Sequence, residues 1–376
     1  VTVFLDHAAG TRLRPEALDA MLPWLADRPG NPSSAHAPGR AARLALDEAR
    51  DAVAELVGAE PGGVVFTSGG TEAADLAVRG TLGLVGGHAV AAAVEHAAVL
   101  APVRAAAGST VGVDATGVVR PEVLAAHLDR HPDTTLVSVQ AANNETGVLQ
   151  PVAALVEVVR ERAPGARVHT DAVQAAPWLD LPALVGDADL VGVSSHKLGG
   201  PRGAGALVRR GDADVAPVLL GGGQEWGRRA GTVDVAAVVG FGAAVRTVLA
   251  DREATSARVV RLRDRLGAGL TAIDGVTPTA AGAPKLPGIV HVCVAGVERE
   301  ELVLLADRAG VALSAGSACA SGALEPSHVL VAMGLEPTRS AGALRASLGW
   351  DSTEADVDRA VAVVADVVAR LRRAAA

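Results

Sequence analysis

Apolar and polar positions along the chain follow two periods. From Pro15 to Asp27 and from Gly39 to Val57 the apolar residues recur at helical spacing, and the turn-rich GNPSSAHAPG joins the two stretches. After that, short apolar runs alternate with helical ones. The runs VVF (64–66), AVAAAV (89–94), TLVSV (135–139), ARVH (166–169) and DLVGVS (189–194) read as strands. Between them lie helical patterns over Glu72–Thr81, Ala97–Ala107, Pro121–Arg130 and Pro151–Arg162. Strands alternating with helices predict an α/β fold with a mainly parallel sheet covered on both faces. A long helical segment from Val233 to about Leu270 follows, with an interruption expected near Asp251–Thr255. Beyond it, 288–294, 299–309, 311–313, 343–348 and 353–372 predict a smaller α+β unit. The division is expected near residue 252, giving a large domain over 12–252 and a small one from 1–11 and 253–376.

Composition narrows the class. The 376 residues suit two domains, and 49% hydrophobic with 20% charged residues predicts a folded globule. The net charge is −8 and no basic run occurs, which argues against direct nucleic-acid binding. The longest apolar stretch, Val235–Val245, is too short to span a bilayer. VTVFLDHAAG has no basic region of the secretory type, so a cytoplasmic location is expected. Two cysteines cannot make a disulfide framework, and both are expected as thiols. With three Phe, four Trp and no Tyr, the core must be built of Ala, Val and Leu.

Only Lys197 and Lys285 are lysines among 34 basic residues. A lysine that survives such a bias points to imine formation, which needs a primary amine able to lose its proton. Ligands of a parallel sheet sit beyond the carboxyl ends of its strands. There the chain carries TSGGTE with Gly70 and Thr71, then Glu95-His96, then NNET with Asn144, then Thr170-Asp171 with Gln174, then Ser194-Ser195-His196-Lys197. Singly, each has an ordinary reading: a turn and cap, a surface lysine, a capping Asp. Together they supply an amine, a carboxylate for a pyridinium nitrogen and a phosphate cup, as pyridoxal phosphate requires. No metal-ligand spacing occurs. Cys293 lies in an apolar strand and reads as a small buried hydrophobe. Cys319 lies in SAGSACASGALEP, a run of small residues where a free thiol is open to oxidation unless it is used. Arg345 is either a carboxylate clamp or a structural ion pair.

With these residues in view the chain resembles the NifS/IscS-type cysteine desulfurases, fold type I pyridoxal-phosphate enzymes of the class-V aminotransferase-like family. The likeness runs through LDHAAGT (5–11), GNPSSAH (30–36), VVFTSGGTEAADLAV (64–78), VEHAAVL (94–100), ANNETGVLQP (142–151), HTDAVQ (169–174), SSHKLGGPRGAGAL (194–207), GGGQEWGRRAGT (221–232), SAGSACASGALEPSHVL (314–330) and LRASLG (344–349). The setting of Cys319 looks like the group with the longer catalytic loop. The resemblance implies Lys197 as the Schiff-base lysine, Asp171 as partner of the ring nitrogen and His96 as the residue stacked on the ring. It further implies Gln174 and Asn144 near the ring hydroxyl and substrate, and Gly70, Thr71, Ser194 and His196 at the phosphate. Thr232 would come from the second subunit of a homodimer. Arg345 would bind the carboxylate of L-cysteine, and Cys319 would take its sulfur as a persulfide for an acceptor protein. Gly10, Gly70 and Ser195 depart from the residues common at those small positions. Selenocysteine lyase and aminotransferase chemistry on the same fold are the alternatives. The acceptor stays open among iron–sulfur assembly, tRNA thiolation, DNA phosphorothioation and biosynthetic sulfur transfer.

Overall fold

The alternating pattern folds as a layered sheet in a computed structural model that describes residues 2–316 and 326–375. The chain opens with β1 (Val3–Phe4), α1 (Pro15–Ala26) and α2 (Ala37–Val57). His36 caps α2 by accepting from the Gly39 amide, and Gly58 ends it in the left-handed conformation at φ 68°. There follow β2 (Val64–Thr67), α3 (Gly70–Val85), β3 (His88–Ala92), α4 (Ala97–Ala105) and β4 (Ser109–Val111). Next come α5 (Pro121–Arg130), β5 (Thr134–Ser138), α6 (Val152–Arg162), β6 (Arg167–Asp171), α7 (Leu181–Val185), β7 (Leu190–Ser194) and β8 (Gly205–Arg209).

Among the described residues these strands form a seven-stranded sheet in the order β2-β8-β7-β6-β5-β3-β4. Pairing is parallel from β7 to β4, while β8 runs antiparallel to both β2 and β7. The expected mainly parallel sheet is therefore present. The sequence reading missed β4 and β8, because one is three residues long and the other hides in a glycine-rich run with no alternation.

The long helix α8 (Val235–Thr271) corrects a second expectation, since it continues through Asp251–Thr255 without a break. The polar residues there hold neighbours and do not end the helix. Asp251 accepts from Arg14 at 2.9 Å, Arg252 donates to the Leu179 carbonyl at 3.0 Å and Ser256 to the Trp178 carbonyl at 2.8 Å. Its first half gives Val238, Phe241, Ala244 and Val248 to the core around the large sheet. Its second half gives Val259, Leu262, Leu266 and Leu270 to a separate core.

That second core is built on β9 (Val276–Pro278), β10 (Ile289–Val294), α9 (Arg299–Arg308) and β11 (Val311–Ala312). The chain ends with α10 (His328–Ala332), α11 (Pro337–Ser340), β12 (Ala343–Ser347) and α12 (Glu354–Ala375). Strand β10 is flanked antiparallel by β12 and β9, and β1 pairs in parallel with β11. The N-terminal residues after β1 then lie along β12, where Asp6 bridges Ser347. Cys293 is buried in β10, as its apolar neighbours predict. No helix among the described residues is long and apolar enough to cross a membrane.

Candidate active site

At the carboxyl ends of the parallel strands lies a cavity of about 330 Å³, partly open to solvent. Gly70, Thr71, His96, Asn144, Asp171, Gln174, Ser194, His196, Lys197 and Arg345 all line it. Thr232 does not; it lines a separate cleft with Asn31, Arg50, Glu225 and Trp226. Cys319 lies outside the described residues.

Each lining group is set by the strand or helix end that carries it. Lys197 closes a short 3-10 turn directly after β7. Its Nζ donates to the carbonyls of Ala8 and Ala9, the latter at 2.9 Å, and Gln174 also donates to the Ala8 carbonyl at 2.9 Å. The N-terminal segment therefore closes one wall of the cavity. Asp171 ends β6, and its Oδ1 accepts from the Val173 amide at 2.9 Å. Burial raises the pKa of Asp171, with His96 and Lys197 pulling the other way. A withdrawn carboxylate of this kind calls for a cationic donor beside it.

His96 caps α4 by accepting the Ala98 amide on Nδ1 at 3.1 Å. An amide can only donate, so the neutral ring carries its proton on Nε2. Ser194 Oγ lies 2.9 Å from His196 Nδ1. Burial, with the nearby charges of Lys197 and Arg202, holds the His196 pKa to about 4, so the ring is neutral at physiological pH. Gly69 has φ 151°, a conformation open to glycine, and leads into the N-terminus of α3. A Cβ on Gly70 would come within 2.9 Å of Val173 Cγ2, so this glycine keeps the helix entrance open.

Arg345 enters from β12 and is 2% exposed. Its Nη2 donates to Asp6 Oδ1 at 2.7 Å, and its Nη1 donates to the carbonyls of Asn144 at 2.9 Å and Gly316 at 3.4 Å. Sequence reasoning assigned no role to Asp6, which sits inside LDHAAGT, because nothing in the local pattern ties it to a residue 339 positions away. It also gave no role to Glu95. That side chain is fully buried, its Oε1 accepts from the Gln140 amide at 2.5 Å and its Oε2 has no partner. Burial and then the charge of Asp171 push its pKa well above the usual carboxylate value, against the backbone hydrogen bonds of Gln140 and His96. The carbonyls of Ala8 and Ala9 were equally hidden, since a backbone acceptor leaves no mark on residue type. The other lysine, Lys285, lies elsewhere and donates to the Thr279 carbonyl at 2.5 Å.

These residues fit pyridoxal phosphate. An amine, a half-buried carboxylate, and a glycine-opened helix N-terminus with Thr71, Ser194 and His196 are the donor set this cofactor needs.

Comparison with known proteins agrees with that chemistry. Residues 3–360 match the family model described as aminotransferase class-V. The chain is 42% identical to an IscS-like cysteine desulfurase of Mycobacterium tuberculosis, over 99% of this chain and 98% of the relative. A solved NifS-like protein superposes with a TM-score of 0.91 at 30% identity, covering 98% of this chain and all of that one. Another, described as SspA in complex with cysteine, gives 0.78 at 28% identity over 93% and 99%.

Proposed function

This chain belongs to the aminotransferase class-V family, and from that membership we propose that it is a cysteine desulfurase using pyridoxal phosphate, converting L-cysteine to L-alanine and passing the sulfur on. The observation that carries the reading is the meeting of Lys197, Asp171 and Arg345 on one cavity, an amine and two ends of opposite charge suited to an amino acid and a pyridine ring.

When bound, pyridoxal phosphate supplies an aldehyde carbon and an electron sink for charge developing at the substrate Cα. Lys197 would hold it through Nζ, with Asp171 as partner of the ring nitrogen and His96 beside the ring. Gly70, Thr71, Ser194 and His196 would hold the phosphate, with Thr232 supplied by a second copy of the chain. Gln174 and Asn144 would serve the ring hydroxyl and the substrate. Arg345 grips the substrate carboxylate and so fixes which bond at Cα is presented. The Lys197 amine would take the Cα proton. The Cys319 thiolate then attacks the substrate sulfur, forming a sulfur–sulfur bond as the carbon–sulfur bond breaks, and the carbon fragment leaves as alanine. An unperturbed thiol near pKa 8.5 is only partly ionised at neutral pH, so a proton acceptor speeds that attack; His96 would serve as one only after passing on the proton of Nε2. The persulfide on Cys319 goes to an acceptor protein. A cytoplasmic homodimer with its domain division near residue 252 completes the reading.

The test is release of sulfide and alanine from L-cysteine with a reductant, for the wild type and Cys319→Ser. The expected outcome is stoichiometric products in the wild type and at least a hundredfold loss of sulfide release in the variant, with the cofactor absorbance unchanged. Undiminished activity in the variant would move the reading to another reaction of the same fold.

A further inference from the structure

Arg345 does not meet the cavity alone. One edge of its guanidinium is already occupied by Asp6, at 2.7 Å, and Nη1 is held by two carbonyls from different parts of the chain. The backbone fixes Asp6 in place. His7 N–H donates to the Ser347 carbonyl at 3.3 Å, Ser347 N–H to the Leu5 carbonyl at 2.7 Å and Ala8 N–H to Ser347 Oγ at 2.9 Å. These bonds hold the backbone on both sides of Asp6 against β12, so its carboxylate is presented to the guanidinium before any other anion arrives. The same segment continues into the Ala8 and Ala9 carbonyls that hold Lys197.

We propose that Asp6 is a positioning residue that weakens the hold of Arg345 on an amino-acid carboxylate. The inference rests on the reading of Arg345 as the carboxylate clamp. A substrate carboxylate bound there shares one guanidinium, itself 2% exposed, with an anion a few ångströms away, and the two carboxylates repel each other. Substrate and product of the proposed reaction carry the same carboxylate. A clamp at full strength would bind both equally, which lowers KM without helping turnover and retains the product. Asp6 keeps the clamp oriented through its hydrogen bond and lowers its strength through its charge.

The two contributions separate in Asp6→Asn, which keeps an oxygen acceptor toward Nη2 and removes the charge. On holoenzyme, the absorbance of the bound cofactor is titrated with L-alanine and with ethylamine, which is alanine without its carboxylate, for the wild type, Asp6→Asn and Arg345→Gln. In Asp6→Asn the alanine Kd is expected to fall about tenfold while the ethylamine Kd moves less than twofold, and KM for L-cysteine falls with the former. Asp6→Ser carries the same expectation should the asparagine variant not hold cofactor. Alanine binding unchanged or weaker in the Asp6 variants, with Arg345→Gln still weakening it, overturns the inference and leaves the clamp standing. Alanine binding unaffected by Arg345→Gln overturns the clamp and the inference together.

Discussion

Arg50 and Arg345 face the same electrostatic predicament, a guanidinium withdrawn from water beside a single carboxylate, in surroundings that differ. Arg50 makes two bonds to Glu225, at 2.9 and 3.0 Å, and a third to the Val64 carbonyl at 2.5 Å. Phe66 and Trp226 sandwich it, with ring centroids 4.6 and 4.4 Å from Cζ. Glu225 also accepts from the Phe66 amide at 2.9 Å. The pair borders a cleft and leaves Arg50 Nε without a partner, yet both Nη atoms are held, and the backbone carries positive φ at Glu225 (46°) and Trp226 (54°) beside them. Arg345 has a one-point bond to its carboxylate and a face on a solvent-connected cavity. Asp6 keeps 24% of its side chain exposed against 4% for Glu225. A buried ion pair joined at two points and packed on aromatic rings holds the fold; one joined at a single point beside a cavity keeps binding capacity for a ligand.

The largest expected effect tests the two-point pair. Arg50→Ala leaves Glu225 buried without a counter-charge and should cost about 3–5 kcal/mol in urea unfolding of the holoenzyme. A loss under about 1 kcal/mol would mean that Glu225 rehydrates through the adjoining cleft and that the two-point pair does not hold the fold.

A buried group with no counter-charge sharpens the contrast. His169 is fully buried, its Nδ1 sits 2.8 Å from Ser138 Oγ and its Nε2 has no partner. Burial holds its pKa to about 4, against 6.5 for an exposed histidine. The folded protein therefore binds this proton less readily than the unfolded chain. Stability present above pH 6.5 drains away as the pH falls toward 4, by about 3 kcal/mol from this residue. Denaturation profiles of the wild type and His169→Asn between pH 7 and 4 should differ in slope by that amount, with the variant flatter. Parallel profiles would exclude an uncompensated charge at His169.

The open pair gives the smallest change in stability. Arg345→Gln should weaken alanine binding about a hundredfold, the scale of lost charge-assisted hydrogen bonds. Its unfolding free energy should drop by only roughly 1 kcal/mol, because Asp6 can turn to water. A stability loss equal to that of Arg50→Ala would erase the distinction between the two arginines.

Much of the cavity wall was legible in the chain because parallel strands bring their carboxyl ends together. Once the strands ending at Asp171 and Ser194 were recognised, Lys197, Asp171, His96 and Thr71 had to gather at one edge of the sheet. Residue type then spoke for chemistry, as with a lysine kept in a chain that has only two. What local pattern could not carry was anything set by contacts across hundreds of residues or by the backbone itself. The continuity of α8 through Asp251–Thr255 depends on Arg14 and on two carbonyls at 178 and 179. Whether Arg345 was a clamp or a structural pair was undecided in sequence, since either use demands an arginine. The tertiary fold alone laid residues 5–8 along β12, set Asp6 on the guanidinium and brought two N-terminal carbonyls onto Lys197. The physical reason is that sequence periodicity reports which face of an element is dry, whereas the partners of a buried charge are fixed only when distant segments pack.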